Sequence, residues 1–121
     1  KTKSKPKKFS RAYILINENN EVLVRKRASK GMLASMLEVP NDNWVEKKSL
    51  LRRDAIVNKL QKKLIRKGEL NYSFSHFDLY VEIFYKKIRK IDYPKNKWLN
   101  INKYSNSQLP TVMKKILEIM M

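Results

Sequence analysis

The triplet Phe74-Ser75-His76 carries side chains suited to hydrogen-bonding chemistry. The Ser75 hydroxyl both donates and accepts hydrogen bonds, and a neutral imidazole such as that of His76 does the same. His76 is the only histidine and cysteine is absent. Within this chain, that composition excludes a multi-histidine metal site, a disulfide, an iron–sulfur cluster and thiol catalysis.

The acidic residues offer no pair placed for general acid and base catalysis. They are scattered along the chain and include Glu38, Asp42, Glu46, Asp54, Glu69, Asp78, Glu82 and Asp92. The sequence therefore gives no acid–base site, and we expect no catalytic residue in this chain.

The charge is strongly positive, because 28 Lys and Arg residues oppose 11 Asp and Glu, giving a formal net charge of +17. Such a charge attracts polyanions, with an affinity that falls steeply as salt rises. Nucleic acid is the first partner that this charge predicts. A compositional alternative stands beside it, since Lys, Asn and Ile are abundant together, as in proteins from A/T-rich genomes.

The length of 121 residues, with 42% hydrophobic residues, suits one folded domain. Residues 1–10 are predicted to form a basic tail or linker, because residues 1–8 contain nothing apolar to bury, and residues 11–121 form the domain. The chain opens on lysine, so we expect a fragment of a longer protein. It has no signal-peptide pattern and no apolar run near the roughly 18 residues that span a bilayer. We expect a soluble, intracellular protein without a membrane partner.

The amino-terminal half predicts a β-hairpin and an ordered loop. Residues 12–16 and 21–27 are β-prone runs separated by a turn, and side-chain alternation puts Leu23, Arg25 and Arg27 on one face. Residues 29–44 are predicted as a loop with one short strand at 36–39.

The rest of the chain predicts helix, strand, strand and helix. Apolar residues recur at helical intervals from Ser49, a predicted N-cap, to Leu64, and Gly68 would follow the helix end. One long strand is predicted over 72–88, with a buried face formed by Phe77, Leu79, Val81, Ile83 and Tyr85. If that strand is regular, Phe74 and His76 lie on its opposite face. Residues 98–101 predict a last strand, and Pro110 opens a final helix with the apolar stripe Val112, Met113, Ile116, Leu117 and Met120.

Residues 31–40 resemble the segment that leads into the Nudix signature. Glu38-Val39-Pro40 matches its approach, and Asn41-Asp42 replaces the usual Gly-Gly turn. A Nudix hydrolase then needs paired glutamates on a helix, because Mg²⁺ holds a diphosphate through several carboxylate oxygens. Here Asp54 is the single acid in that region, after Arg52-Arg53, and it is followed by Asn58, Lys59, Lys62 and Lys63. The Nudix scaffold is therefore expected without its metal site.

With Phe74-Ser75-His76, this pattern resembles the C-terminal domain of MutY-type adenine DNA glycosylases, in which such a triplet contacts 8-oxoguanine. Trp98-Leu99 and Leu109-Pro110 before the last helix add to the resemblance. It covers residues 11–121 and implies an α+β fold: a Nudix-like (MutT-like) mixed sheet flanked by helices, in a single domain.

The chemistry of the lesion suits the role that the resemblance implies. Oxidation at C8 turns the N7 acceptor of guanine into an N–H donor and adds a carbonyl oxygen. The Ser75 hydroxyl can accept from that N7 proton or serve the new oxygen, and His76 can add a further hydrogen bond. Since a hydroxyl also donates to the N7 of ordinary guanine, Ser75 alone should discriminate modestly.

The resemblance also implies the partners and cofactors of the whole protein. The partners are double-stranded DNA with 8-oxoguanine opposite adenine, and an N-terminal catalytic domain of the same chain. A 4Fe-4S cluster is expected in that other domain and no cofactor in this one. The protein is expected to be a monomer in the bacterial cytoplasm or nucleoid.

The expected lesion and DNA contacts are Phe74, Ser75, His76, Arg25, Arg27 and Lys30. A structural role is the alternative for Phe74, which equally suits the core, and a structural or solvated role is the alternative for His76. A solvated face is the alternative for each cation. Two other functions remain open. A divergent Nudix pyrophosphohydrolase would agree with Glu38-Val39-Pro40, and a small basic RNA-binding protein would agree with the charge.

Overall fold

The computed structural model describes residues 5–60, 63–103 and 109–120. Two short 3-10 turns, Lys48–Leu50 and Lys90–Asp92, accompany the regular elements. The strands are β1 (Lys7–Ile16), β2 (Glu21–Lys26), β3 (Leu37–Glu38), β4 (Ile65–Ser73), β5 (Asp78–Lys87) and β6 (Lys97–Asn100), and the helices are α1 (Ala55–Asn58) and α2 (Thr111–Glu118).

The strands form one mixed sheet in the order β3-β2-β1-β5-β4, with β6 paired to β2. β1 and β5 are parallel along ten residue pairs, from Lys7 beside Asp78 to Ile16 beside Lys87. The other strand pairs are antiparallel. Because β1 pairs with β2 only at Ile16, residues 40–45 lie along the rest of its free edge. The predicted α+β architecture, a mixed sheet flanked by helices, is confirmed.

Apolar side chains cover both faces of the sheet. On one face, α2 contributes its buried stripe of Val112, Met113, Ile116 and Leu117 to the larger core. On the other face, Tyr13, Leu15 and Leu23 pack with Val57 of α1. Leu23 thus lies opposite Val22 and Val24, as alternation predicts. No helix among the described residues is long and apolar enough to cross a membrane.

The predicted helix from Ser49 to Leu64 is wrong over most of its length. α1 is a single turn, Ala55–Asn58, and its N-cap is Asp54, whose side chain accepts from the Ile56 amide at 3.0 Å. Isolated helical turns are marginal, and this segment places like charges three and four residues apart on one side, which destabilises a longer helix.

Gly68 does not end a helix, because it lies inside β4 at a register shift between Arg66 and Gly68. A Cβ at this position would lie 2.6 Å from Cδ1 of Ile119. The glycine therefore allows strand β4 to approach the end of α2.

Two predicted boundaries also move. β1 begins at Lys7 and Ser10 is buried, so residues 7–10 belong to the sheet and not to a tail. The long strand predicted over 72–88 covers the last two residues of β4, a turn at residues 74–77 and then β5, which pairs with β4 in the antiparallel direction. A hairpin explains the pattern because both strands alternate in burial: β5 alternates buried with half-buried side chains, and β4 alternates half-buried with exposed ones.

Candidate functional site

The predicted triplet lies in the turn at residues 74–77, which connects β4 to β5. The Phe74 amide donates to the Phe77 carbonyl at 2.8 Å and closes the turn. Ser75 and His76 are exposed at its tip, and their side chains form no hydrogen bond with the described part of the chain. Both side chains can therefore donate to or accept from a ligand without breaking an internal contact.

An aromatic cluster lies beneath this turn and consists of Trp44, Tyr72, Phe74 and Phe77. The half-buried Phe74 ring is at its centre, with ring centroids 4.9 Å from Tyr72, 5.0 Å from Phe77 and 5.7 Å from Trp44. Aromatic pairs at these separations stabilise beyond the area that they bury. The cluster holds the backbone that presents Ser75 and His76. Phe74 thus packs on the same side as Phe77, and the expected opposite placement is wrong because the turn interrupts the alternation.

Arg27 connects the aromatic cluster to a group of ion pairs. Its guanidinium lies 4.7 Å over the Trp44 ring, while Nε donates to the Met32 carbonyl at 3.1 Å. Its terminal nitrogen is 2.6 Å from Oε1 of Glu38. The indole N–H of Trp44 donates to Asn41 at 2.9 Å. Trp44 is therefore fixed between the turn and Arg27.

Arg25 joins two nearly buried carboxylates. Its Nε is 2.8 Å from Glu38 and a terminal nitrogen is 2.5 Å from Asp54, and each acid is 7% exposed. Burial alone would lower the pKa of Arg25, but the hydrogen bonds with Asp54 and Glu38 outweigh it and the pKa is raised. Arg25 thus ties the β2–β3 hairpin to the cap of α1.

Asp42 forms a second buried group on the segment beside β1. Its carboxylate accepts from Arg11 Nε at 2.5 Å, from the Tyr13 hydroxyl at 2.8 Å and from the Asp54 amide at 2.9 Å. Burial, then the hydrogen bond and the negative charge of Asp42, raise the pKa of Tyr13. The three donors satisfy this fully buried carboxylate.

The acids of this region do not fit a Mg²⁺ site. Glu38, Asp42 and Asp54 each accept from arginine, tyrosine or backbone donors. Within the described ranges, no group of three or more His, Cys, Asp or Glu side chains could hold a metal ion. α1 carries Asn58, and Lys59 follows it, where a Nudix hydrolase needs carboxylates.

The structure brings five of the six predicted contact residues, all except Lys30, into one region. A shallow cavity of about 370 Å³ is lined by Lys8, Arg25, Arg27 and Trp44, among other residues. Trp44 also contacts Phe74, so this cavity adjoins the turn. Lys30 lies on the exposed loop between β2 and β3. DNA contact by any of these residues stays a prediction.

Sequence reasoning missed two residues that hold the turn. Trp44 is a tryptophan in an irregular segment, a signal that could have suggested a packing contact. Lys5 lies in the predicted tail, yet its Nζ donates to the Phe74 carbonyl at 2.9 Å and is 3.2 Å from Asp78. Nothing in the pattern of residues distinguishes Lys5 from the other lysines around it.

Solved structures with the same fold include a MUTYH domain, a MutT protein and NrtR. The C-terminal domain of mouse MUTYH, solved in complex with human PCNA, matches with a TM-score of 0.72 at 18% identity, over 93% of this chain and 86% of that one. A MutT protein from Methanosarcina mazei Go1 matches with 0.67 at 15% identity, over 97% and 94%. NrtR from Shewanella oneidensis, solved with a 27mer DNA, matches with 0.64 at 8% identity, over 92% and 59%. These identities establish the fold alone.

A search of curated proteins gives no match. The family model described as a NUDIX domain, NUDIX_4, matches residues 11–119, which is nearly the whole chain. Its match begins and ends within the folded part described above. The chain belongs to the NUDIX domain family.

Proposed function

We propose that this chain is the 8-oxoguanine-recognition domain of an adenine DNA glycosylase that removes adenine mispaired with 8-oxoguanine. The observation that carries the proposal is the 74–77 turn. It exposes a hydroxyl and an imidazole, Ser75 and His76, on a backbone held by four aromatic rings. A preorganised contact loses little entropy when its ligand binds.

The Ser75 hydroxyl oxygen, acting as a hydrogen-bond acceptor, is the part of the site that suits the lesion. The N7 proton of 8-oxoguanine needs an acceptor on the edge where ordinary guanine needs a donor. The Ser75 oxygen has both lone pairs available to a ligand, since the structure gives this side chain no partner among the described residues. The MUTYH C-terminal domain shares the fold that presents this turn.

The acids of the region support a binding role over hydrolysis. Arg25 and Arg27 neutralise Glu38 and Asp54, so that these carboxylates do not present a free cluster to Mg²⁺. The net charge of +17 favours a nucleic-acid partner over a free acidic metabolite, because a duplex has many phosphates.

Under this proposal, the chemical step in base excision repair takes place elsewhere in the protein. An N-terminal catalytic domain of the same chain, with a 4Fe-4S cluster, would break the glycosidic bond. The partner of the domain is duplex DNA that contains 8-oxoguanine opposite adenine. The protein would act as a monomer in the bacterial cytoplasm or nucleoid.

The test compares two DNA duplexes that differ only in the oxidised base. Fluorescence anisotropy at low salt gives the affinity of the chain for 8-oxoguanine opposite adenine and for guanine opposite adenine. Replacing Ser75→Ala together with His76→Ala should reduce the preference for the oxidised duplex by about threefold to tenfold, the value of one or two net hydrogen bonds. Ser49→Ala, an exposed serine away from the turn, is the control and should change nothing.

Three results would contradict the proposal. One is an unchanged preference in the double variant, or no preference in the unaltered chain. Another is Mg²⁺-dependent release of pyrophosphate from nucleoside triphosphates, which would support the hydrolase alternative. The third is tighter binding to structured RNA than to the oxidised duplex, which would support an RNA-binding protein.

A further inference from the structure

The segment just before β1 contacts both ends of the 74–77 turn. Lys5 Nζ donates to the Phe74 carbonyl at 2.9 Å and to Ser73 Oγ, and it lies 3.2 Å from Oδ1 of Asp78. Ser73 is the last residue of β4 and Asp78 is the first of β5. One ammonium group therefore joins the two strands at the base of the turn.

The contacts match the donor capacity of lysine. An ammonium group has three N–H donors and no acceptor, and Lys5 has three oxygen partners here. Ser73 also donates to Asp78 at 2.7 Å, and the Asp78 amide donates to the Pro6 carbonyl at 2.9 Å. The hydrogen bonds from Ser73 and Lys5 lower the pKa of the Asp78 carboxyl. Asp78 is thus charged at neutral pH and completes a closed set of contacts.

We propose that Lys5 is a positioning residue, which fixes the backbone of the 74–77 turn so that Ser75 and His76 meet the lesion in a preset geometry. This inference rests on the proposed function. Phe74 is held from two sides, since Lys5 binds its carbonyl while its ring packs in the aromatic cluster.

Lys5→Met tests the inference, because it removes the ammonium group and keeps most of the apolar stem. The side chain of Lys5 is 40% exposed, so this variant should fold. Lys47→Met removes the same charge from an exposed position in another part of the chain. Lys5→Arg should fix the 74–77 turn in part, because arginine keeps a cationic donor.

Two measurements separate the inference from the proposed function. Hydrogen exchange of the amides at residues 74–77, in the free protein, should be faster in Lys5→Met and unchanged in Lys47→Met. The preference for the oxidised duplex should fall about threefold in Lys5→Met, the size of an exposed ion pair, with partial recovery in Lys5→Arg. Affinity for undamaged duplex should fall equally in both methionine variants, since each loses one charge.

Each contrary result has its own meaning. Unchanged exchange in Lys5→Met would overturn the inference whatever the domain binds. Faster exchange with an unchanged preference, in a protein whose preference does depend on Ser75, would overturn the positioning role and leave the proposed function standing. If Ser75 and His76 prove irrelevant to the preference, the proposed function fails, and the positioning role toward DNA fails with it.

Discussion

Replacing Arg25→Met should destabilise the domain strongly, although the sequence placed this residue among the DNA contacts. The substitution keeps an apolar stem and removes the guanidinium from Glu38 and Asp54, which are each 7% exposed. Glu38 retains Arg27 and Asn41, whereas Asp54 loses its ion-pair partner and keeps the Ile56 amide. The loss of stability should therefore lie near the lower end of the range that is typical for breaking a buried ion pair.

We expect a loss of about 3 kcal/mol in the free energy of unfolding. For a domain of this size, that corresponds to a fall of about 12 °C in Tm. Urea denaturation followed by tryptophan fluorescence measures the difference. Lys26→Met is the matched control, because Lys26 is an exposed neighbour in β2 and its loss should cost less than about 0.5 kcal/mol.

A double-mutant cycle identifies the cause of the loss. Asp54→Asn removes the charge and keeps a side chain that caps helices well. In the Arg25→Met background, this second change should restore about 1 kcal/mol or more, since it relieves an unpaired carboxylate. A cost below about 1 kcal/mol for Arg25→Met, or additive effects in the cycle, would refute the assigned role of the ion pairs.

Three further outcomes follow from the packing and the titrating groups. The raised pKa of Tyr13 keeps its hydroxyl protonated in the folded state. The contribution of Tyr13 to the free energy of unfolding should therefore be fully present at pH values below its ordinary pKa of 10.0 and should fall as the pH rises above that value. Tyr13→Phe should make the free energy of unfolding, measured by urea denaturation, fall less steeply with pH above 10.0. Gly68→Ala should cost about 1–2 kcal/mol, because the backbone at φ +157° disfavours a side chain and the new Cβ also meets Ile119. Adding Ile119→Ala should cost less than the sum of the two changes, since it removes the contact but not the backbone strain. Phe74→Leu should cost about 1–2 kcal/mol in denaturation and also lower the preference for oxidised DNA, since the turn loses its aromatic contacts.

Strong periodic patterns could be predicted from the sequence. The alternation around Leu23 and the apolar stripe from Val112 to Leu117 both persist in the structure, because each has a core face to bury.

Predictions were wrong where a pattern of residues fits more than one structure. The spacing of apolar residues after Ser49 fits a helix, but one helical turn followed by strand β4 also buries Val57 and packs Leu64 against the same core cluster. Gly68 allows strand β4 to lie close to the end of α2, and no local sequence pattern predicts that contact. Lys5 could not be predicted as a contact of the turn, because its partners are 68 and more residues away in the sequence.

The central claim is that residues 74–77 contact the oxidised base. The most direct measurement is an NMR titration of the chain with the two duplexes, following the backbone amides of Ser75, His76 and Phe77. Saturable shifts at these amides that are larger with 8-oxoguanine opposite adenine than with guanine opposite adenine are the predicted result. Equal shifts with both duplexes, or shifts confined to other parts of the surface, would contradict the claim.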